Sequence, residues 1–512
     1  MSEIQSAESS ARAGFHSALA EIHAYQPGRQ QFPAFMTAVE QMKGRGLPPL
    51  ADLTETEAPV LVASVLGAMT ASEAMRRMAA GSLTAVQAME MALAAIAARQ
   101  PELNAFVFVA GRDELLAQAA VLDAERAAGT LRGPLHGLIV SVKDVIAVDG
   151  MPNTASSAVL ADEIADYDAT SVRLLKEAGA IIIGKAQTHE FALGVVTQQS
   201  SNPWDVTRNP GGSSGGSAIS VVTGMAHLTL GTDTRASSRV PSSLCGGVAL
   251  KATFGLVPAD GVTTLSWSLD HVAPMGATVE DTALMLSVLT QQSTGLDYTA
   301  FVRKNVAGLC VAVPLAACED VAEDVLAAFW AGVARLRALG VTVETIDAVT
   351  AEDFKLSMLM GLVVSRCEAA TYHLAFSDRL DKYLPVVAAQ LEEAGKITAV
   401  DYLKAQRWRE AFRSRMVALL AGYDGLLMPT TAVAAPKTAE VDDYFLILSR
   451  NCIPWSFIGF PASSVPCGWT REGLPVGAQF VTGPLEEGRL VALSAALERT
   501  LPPRPVFVVG GG

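Results

Sequence analysis

Gly211-Gly-Ser-Ser-Gly-Gly-Ser217, followed by Gly231-Thr-Asp-Thr-Arg-Ala-Ser-Ser-Arg239, is the stretch on which the reading of this chain turns. Glycines lack a Cβ and let a backbone turn where other residues cannot, so the run sets hydroxyls on a tight loop. A lone lysine, Lys143, precedes both segments in the apolar run Gly137-Leu-Ile-Val-Ser-Val-Lys-Asp144. A serine nucleophile needs a proton acceptor and backbone donors for the oxyanion. Here serines, a lysine and a Gly-rich loop supply all three without a histidine.

Competing readings fail on context. A phosphate loop requires G-x-x-x-x-G-K-[ST], and the nearest run, Gly179 to Lys185, ends in Ala186 without the metal-binding hydroxyl. Gly212-Ser-Ser214-Gly-Gly216 matches the G-x-S-x-G elbow, but the polar loop Trp204 to Pro210 stands where a strand belongs. No lysine has a serine three residues before it, so the Ser-x-x-Lys pattern is absent. A Gly/Ser linker would sit in low-complexity sequence, whereas this run leads into the apolar Ala218-Ile-Ser-Val-Val-Thr. A Cys245–His227 pair rests on residue type alone.

Several further segments stand in a fixed order with these: Cys245-Gly246, Leu265-Ser-Trp-Ser-Leu-Asp-His271 with Pro274-Met275, Tyr423-Asp-Gly-Leu-Leu-Met-Pro-Thr430, and Pro475-Val-Gly-Ala-Gln-Phe480. Together with the serine segments and Lys143-Asp144, they resemble the amidase signature family over about residues 67 to 500. The resemblance implies a nucleophile at Ser237, a bridging serine with a cis peptide at Ser213, and a base at Lys143. It implies oxyanion donors among the backbone N–H groups of Thr234, Arg235, Ala236 and Ser237, with Ser214, Asp233 and Arg239 in support. One departure stands out. The family usually has Gly-Gly, Ala-Gly or Asn-Gly where this chain has Arg235-Ala236. Ala236 can present its N–H comfortably only at negative φ, and Arg235 sets a long cation beside the nucleophile.

The residues support these roles on their own terms. Leu138 to Ala147 reads as a buried strand, and a buried lysine without a local acid shifts toward its neutral, proton-accepting form. Asp144 would face the other side of that strand. The alternative is a strand-end lysine that snorkels to water. Pro241 suits the first turn of a helix, which sets Ser237 just ahead of a helix N-terminus. Asp233 and Arg239 bracket Ser237 and could pair to hold the loop, or could be two solvated charges.

Composition bounds the rest. The chain has 512 residues, 50% of them hydrophobic, and a formal net charge of −14. That acidity argues against nucleic acid as a partner. No run of about 18 apolar residues suggests a membrane span, and the polar, acidic start does not resemble a signal peptide. Six scattered cysteines without Cys-x-x-Cys suit reduced thiols in a cytoplasmic protein. Seven histidines without ligand spacing predict no metal, and no cofactor is expected. Partners are expected to be a small-molecule amide or carbamate substrate and, compatibly, a second copy in a homodimer.

Residues 1–66, broken by Pro27, Pro33, Pro48 and Pro49, read as an N-terminal helical extension, 67–500 as the catalytic domain, and 501–512 as a tail. Thr70-x-x-Glu73 and Thr84-x-x-Gln87 read as capping boxes, the second opening a helix stopped before Pro101. Helix–Gly–strand units are expected at 171–183 and 325–345, helices at 350–422 and 485–499, and a loop at 432–441. Strands alternating with helices predict an α/β fold with helices on both sheet faces; the resemblance specifies a central twisted mixed sheet. The activity implied is hydrolysis of an amide, carbamate or urea-type C–N bond through an acyl-enzyme. Two alternatives are the glutaminase component of a tRNA-dependent amidotransferase, against which the extension and Arg235 speak, and an inactive binding homologue.

Overall fold

The computed structural model describes residues 49–53, 66 and 68–503. The expected N-terminal extension and C-terminal tail therefore lie almost wholly outside the described residues. Within 49–53, Asp52 pairs with Lys304 through a β-bridge and a 2.7 Å ion pair.

Eleven strands form one sheet among the described residues. In chain order they are β1 (Phe106–Val109), β2 (Ile139–Lys143), β3 (Ile181–Ala186), β4 (Leu228–Thr232), β5 (Val248–Lys251) and β6 (Val272–Gly276). There follow β7 (Cys310–Pro314), β8 (Thr342–Ile346), β9 (Gly425–Pro429), β10 (Ala462–Trp469) and β11 (Pro475–Val481). The spatial order is β1-β3-β2-β4-β6-β5-β10-β11-β9-β7-β8. β3, β2 and β4 run parallel, as do β9, β7 and β8, while β4, β6, β5, β10, β11 and β9 pair antiparallel. The sheet is mixed, as the resemblance implied.

Alternation along the strands splits the core in two. Val311, Val313 and Leu427 pack with Val325, Phe329 and Leu336 of helix Glu323–Ala338. Their neighbours Ala312, Leu426 and Met428 pack with Phe354, Met360 and Val363 of helix Ala351–His373 and with Trp408 and Phe412 of helix Ala399–Leu419. Apolar residues on both sides of one strand demand a helical layer on each face, which is the observed arrangement. No helix among the described residues is long and apolar enough to cross a membrane.

Local expectations fare unevenly. Thr84 and Gln87 form the reciprocal capping box. Thr70 accepts from the Glu73 N–H at 3.1 Å, but the Glu73 carboxylate turns to Arg77 instead of returning to the cap. The helix begun at Ala85 runs through Pro101 to Leu103. Proline there removes the N–H that would reach back to the Ala97 carbonyl, and the helix ends two residues later. Asn104 closes that turn in the left-handed conformation, its N–H on the Gln100 carbonyl at 2.9 Å. The expected strand at 341–345 lies one residue later, and a 3-10 turn at Thr438–Tyr444 replaces the end of the expected loop at 432–441.

Candidate active site

The parallel strands β2 and β4 end side by side, Val142 opposite Leu230. Lys143 closes β2 and Thr232 closes β4, so their side chains meet at the C-terminal ends of two interior strands. Lys143 is fully buried, and its Nζ lies 2.7 Å from both Ser213 Oγ and Thr232 Oγ1. A strand-end lysine reaching water is thereby overturned. Burial pushes its amine down to about 7, against the opposing fields of Asp233 and Asp270. Asp144 turns away to Lys185, 3.3 Å distant and equally buried.

The glycine run is interior, not linker: residues 211 to 222 are all buried. Only Gly211 in it has positive φ, at 80°. Gly212 and Gly216 are required by crowding. A Cβ on Gly216 would lie 2.3 Å from the Ala105 carbonyl oxygen, and one on Gly212 would lie 2.5 Å from Val196 C. The Gly212–Ser213 peptide is cis. Ser213 and Ser214 then lead into helix Gly215–Val222.

The second loop, between β4 and helix Arg239–Cys245, carries Ser237. The Ser214 N–H donates to the Ser237 carbonyl at 3.0 Å, and the Ser214 hydroxyl donates to the Thr232 carbonyl at 3.2 Å. The two serine loops are thus stitched together over the end of β4. Ser237 is 4% exposed. Its Oγ makes no hydrogen bond with another described residue, and Ser213 Oγ is bonded to Lys143 alone among them. Lys143 Nζ and Ser213 Oγ are thus in contact, whereas the Ser213 and Ser237 hydroxyls are not hydrogen-bonded to each other.

Asp233 and Arg239 form a fully buried, two-pronged ion pair with both contacts at 2.9 Å, not a solvated surface pair. Burial alone would raise the Asp233 carboxyl, yet the Arg239 guanidinium holds it well below the usual carboxylate range. Arg239 also reaches Gln479 Oε1, Ser456 Oγ and the Cys452 carbonyl.

These contacts fix the backbone. Arg239 Nη2 donates to the Arg235 carbonyl at 3.0 Å, and the Val240 N–H donates to the Ala236 carbonyl at 3.0 Å. In a trans peptide the N–H points opposite the C=O. The N–H groups of Ala236 and Ser237 therefore point away from Arg239 and the helix. The N–H groups of Thr234, Arg235, Ala236 and Ser237 have no acceptor among the described residues. Neither Arg235 nor Ala236 has positive φ, so the missing glycines impose no backbone strain.

Thr232 and Asp270 carry no signal of their own in the sequence, whereas the resemblance sets Thr188-His189-Glu190-Phe191 near the site without assigning it a role. Thr232 lies in the segment 231–239 as one hydroxyl among several. Asp270, inside the segment 265–271, accepts from Thr234 Oγ1 at 2.7 Å and from the Leu265 and Ser266 N–H groups at 3.0 Å. Burial pushes its carboxyl up to about 6, against those hydrogen bonds. His189 donates its N–H to the Ser213 carbonyl at 3.2 Å. Burial takes its ring down to about 4, so it is neutral. Its Nδ1 lies 2.8 Å from the Val196 carbonyl and must carry the proton, leaving a buried Nε2 acceptor without a partner among the described residues.

The chain is similar to known proteins along most of its length. The chain matches the family described as Amidase over residues 87–491. It is 34% identical over 463 residues to a glutamyl-tRNA(Gln) amidotransferase subunit from Picosynechococcus sp., covering 81% of this chain and 94% of that one. It is 35% identical over 458 residues to an amidase of Pseudomonas putida, covering 85% and 97%. A crystal structure of an amidase superposes with a TM-score of 0.77 at 31% identity, covering 85% of this chain and all of that one. The chain belongs to the amidase signature family, whose members are amidohydrolases acting on C–N bonds.

Proposed function

We propose that the chain hydrolyses a carboxylic amide, or a related carbamate or urea-type bond, through an acyl-enzyme on Ser237. The observation that carries this reading is the buried Lys143 amine held 2.7 Å from Ser213 Oγ. An amine near 7 is neutral in a large share of molecules at neutral pH and can take a proton. Ser213 passes its proton to Lys143 Nζ and accepts one from Ser237 Oγ, which attacks the carbonyl. Thr232 Oγ1 accepts an N–H of the same amine and keeps its lone pair toward Ser213. The negative oxygen is taken up by the outward N–H groups of Ala236 and Ser237, with those of Thr234 and Arg235 beside them. Ser213 returns the proton to the leaving nitrogen, and water releases the acyl group by the same route.

A second reading is the glutaminase component of a tRNA-dependent amidotransferase, favoured by the similarity to the Picosynechococcus protein. Assay of the purified chain on amide, ester, carbamate and urea substrates separates the two. Free-standing turnover of an amide supports the lead reading. Turnover of glutamine only in the presence of a co-purifying protein supports the second.

A further inference from the structure

The side chain of Arg235 has no use in the chemistry above. It sits two residues before Ser237, is 9% exposed, and makes no hydrogen bond, ion pair or ring contact with another described residue. A nearly buried guanidinium without a counter-charge is costly, and proteins normally satisfy it. Its backbone is locked, since Arg239 holds its carbonyl at 3.0 Å.

Its surroundings add positive charge. Arg366, on helix Ala351–His373, has its charge disfavoured by burial and, next, by the field of Arg235, and the Arg235 charge also reaches His189. Arg366 has a carboxylate near it, Glu393 at 3.8 Å, and the Gln390 carbonyl at 3.4 Å. Burial lowers Arg235 to about 10, with no acid opposing the shift, so it stays charged at neutral pH. The Arg235 guanidinium itself has no carboxylate against it among the described residues. A single negative charge balances it, which fits a carboxylate better than a doubly charged phosphate. The planar fork of a guanidinium matches a carboxylate in two parallel hydrogen bonds.

We propose that Arg235, with Arg366 as its neighbour, binds a carboxylate carried by the substrate close to the bond that Ser237 attacks. The substrate class is then an amide or urea-type compound that is also a small carboxylic acid. This rests on the Ser237 reading, and the test keeps the two apart.

Succinamate and its uncharged diamide, succinamide, are assayed on wild type, Arg235→Gln and Arg235→Lys. A charge-assisted contact of this kind makes the succinamate/succinamide ratio of kcat/KM fall about 10- to 150-fold in the glutamine variant, with partial recovery in the lysine variant. In parallel, labelling of wild-type Ser237 by a fluorophosphonate is followed with malonate or malonamide added. Protection by malonate and not by malonamide supports the proposal, and needs no variant to fold. An unchanged ratio, or equal protection by both compounds, overturns the carboxylate site while leaving Ser237 as nucleophile. Failure of the fluorophosphonate to label Ser237 overturns the underlying reading, and the proposal with it.

Discussion

Arg239 grips Asp233 through two hydrogen bonds of 2.9 Å, Nε to Oδ2 and Nη2 to Oδ1, with both side chains fully buried. The same Nη2 holds the Arg235 carbonyl, so the pair sets the backbone that carries Ser237. Removing one partner strands the other charge in the interior. Asp233→Asn and Arg239→Gln should each lose roughly 3–5 kcal/mol of stability, read as a lower urea midpoint. Each should also lose most activity, because the N–H groups beside Ser237 lose their anchor.

Lys143 should trade stability for function. Its folded pKa of about 7 lies below the ordinary 10.5, so the unfolded chain binds more protons between those values. The burial penalty is therefore full below pH 7 and fades as pH rises toward 10.5. Lys143→Met should be inactive yet more resistant to urea than wild type at pH 7, with the advantage shrinking toward pH 10. Urea midpoints of both proteins across that range check this; a constant difference would contradict a depressed lysine.

Asp270 tunes that lysine. As a carboxylate it favours the charged amine, so removing its charge lowers the lysine further. Since the neutral amine is the base, kcat/KM should rise with pH through about 7 in wild type, and Asp270→Asn should move that rise to lower pH. Asparagine keeps an acceptor for Thr234 Oγ1. A rise displaced to higher pH would show that Asp270 acts through structure and not through its charge.

Thr232→Val removes the acceptor of one Lys143 N–H while nearly preserving shape. Leaving that buried donor unpaired costs about 1–3 kcal/mol. kcat should fall about 5- to 150-fold with KM less affected, measured by steady-state kinetics.

Two glycines should respond differently to alanine. Gly216→Ala places a Cβ 2.3 Å from a backbone oxygen and 2.6 Å from a backbone nitrogen, neither of which can yield cheaply. Gly255→Ala meets nothing within 4 Å and bears only its positive φ of 80°. The first should abolish soluble, active protein; the second should cost about 1 kcal/mol, read in urea midpoints.

The two serine loops and the lysine strand are legible in the sequence because their chemistry is local. Hydroxyls, glycines and an isolated cation stand in short runs, and the apolar neighbours of Lys143 announce its burial. Thr232 and Asp270 are not legible as partners. Strand pairing of β2 with β4 delivers the first to the amine, and the turn at Leu265–Asp270 delivers the second. His189 and Arg366 come from distant segments and feel the charge of Arg235 only in the folded chain. The role of the glycines is half legible. Sequence suggests turning freedom, whereas Gly212 and Gly216 are demanded by atoms of residues 105, 187 and 196. The helix through Pro101 shows a propensity rule yielding to a left-handed cap at Asn104 and to the Gln100 side chain, which takes the next two N–H groups at 2.9 and 3.0 Å.

Trapping the acyl group tests the covalent role of Ser237. The purified protein is acid-quenched during turnover of a slow amide or activated ester, digested, and mapped by mass spectrometry. The acyl mass is expected on the peptide carrying Ser237, absent in Ser237→Ala and strongly reduced in Lys143→Ala. Acylation of Ser214 or Cys245 in place of Ser237 would contradict it.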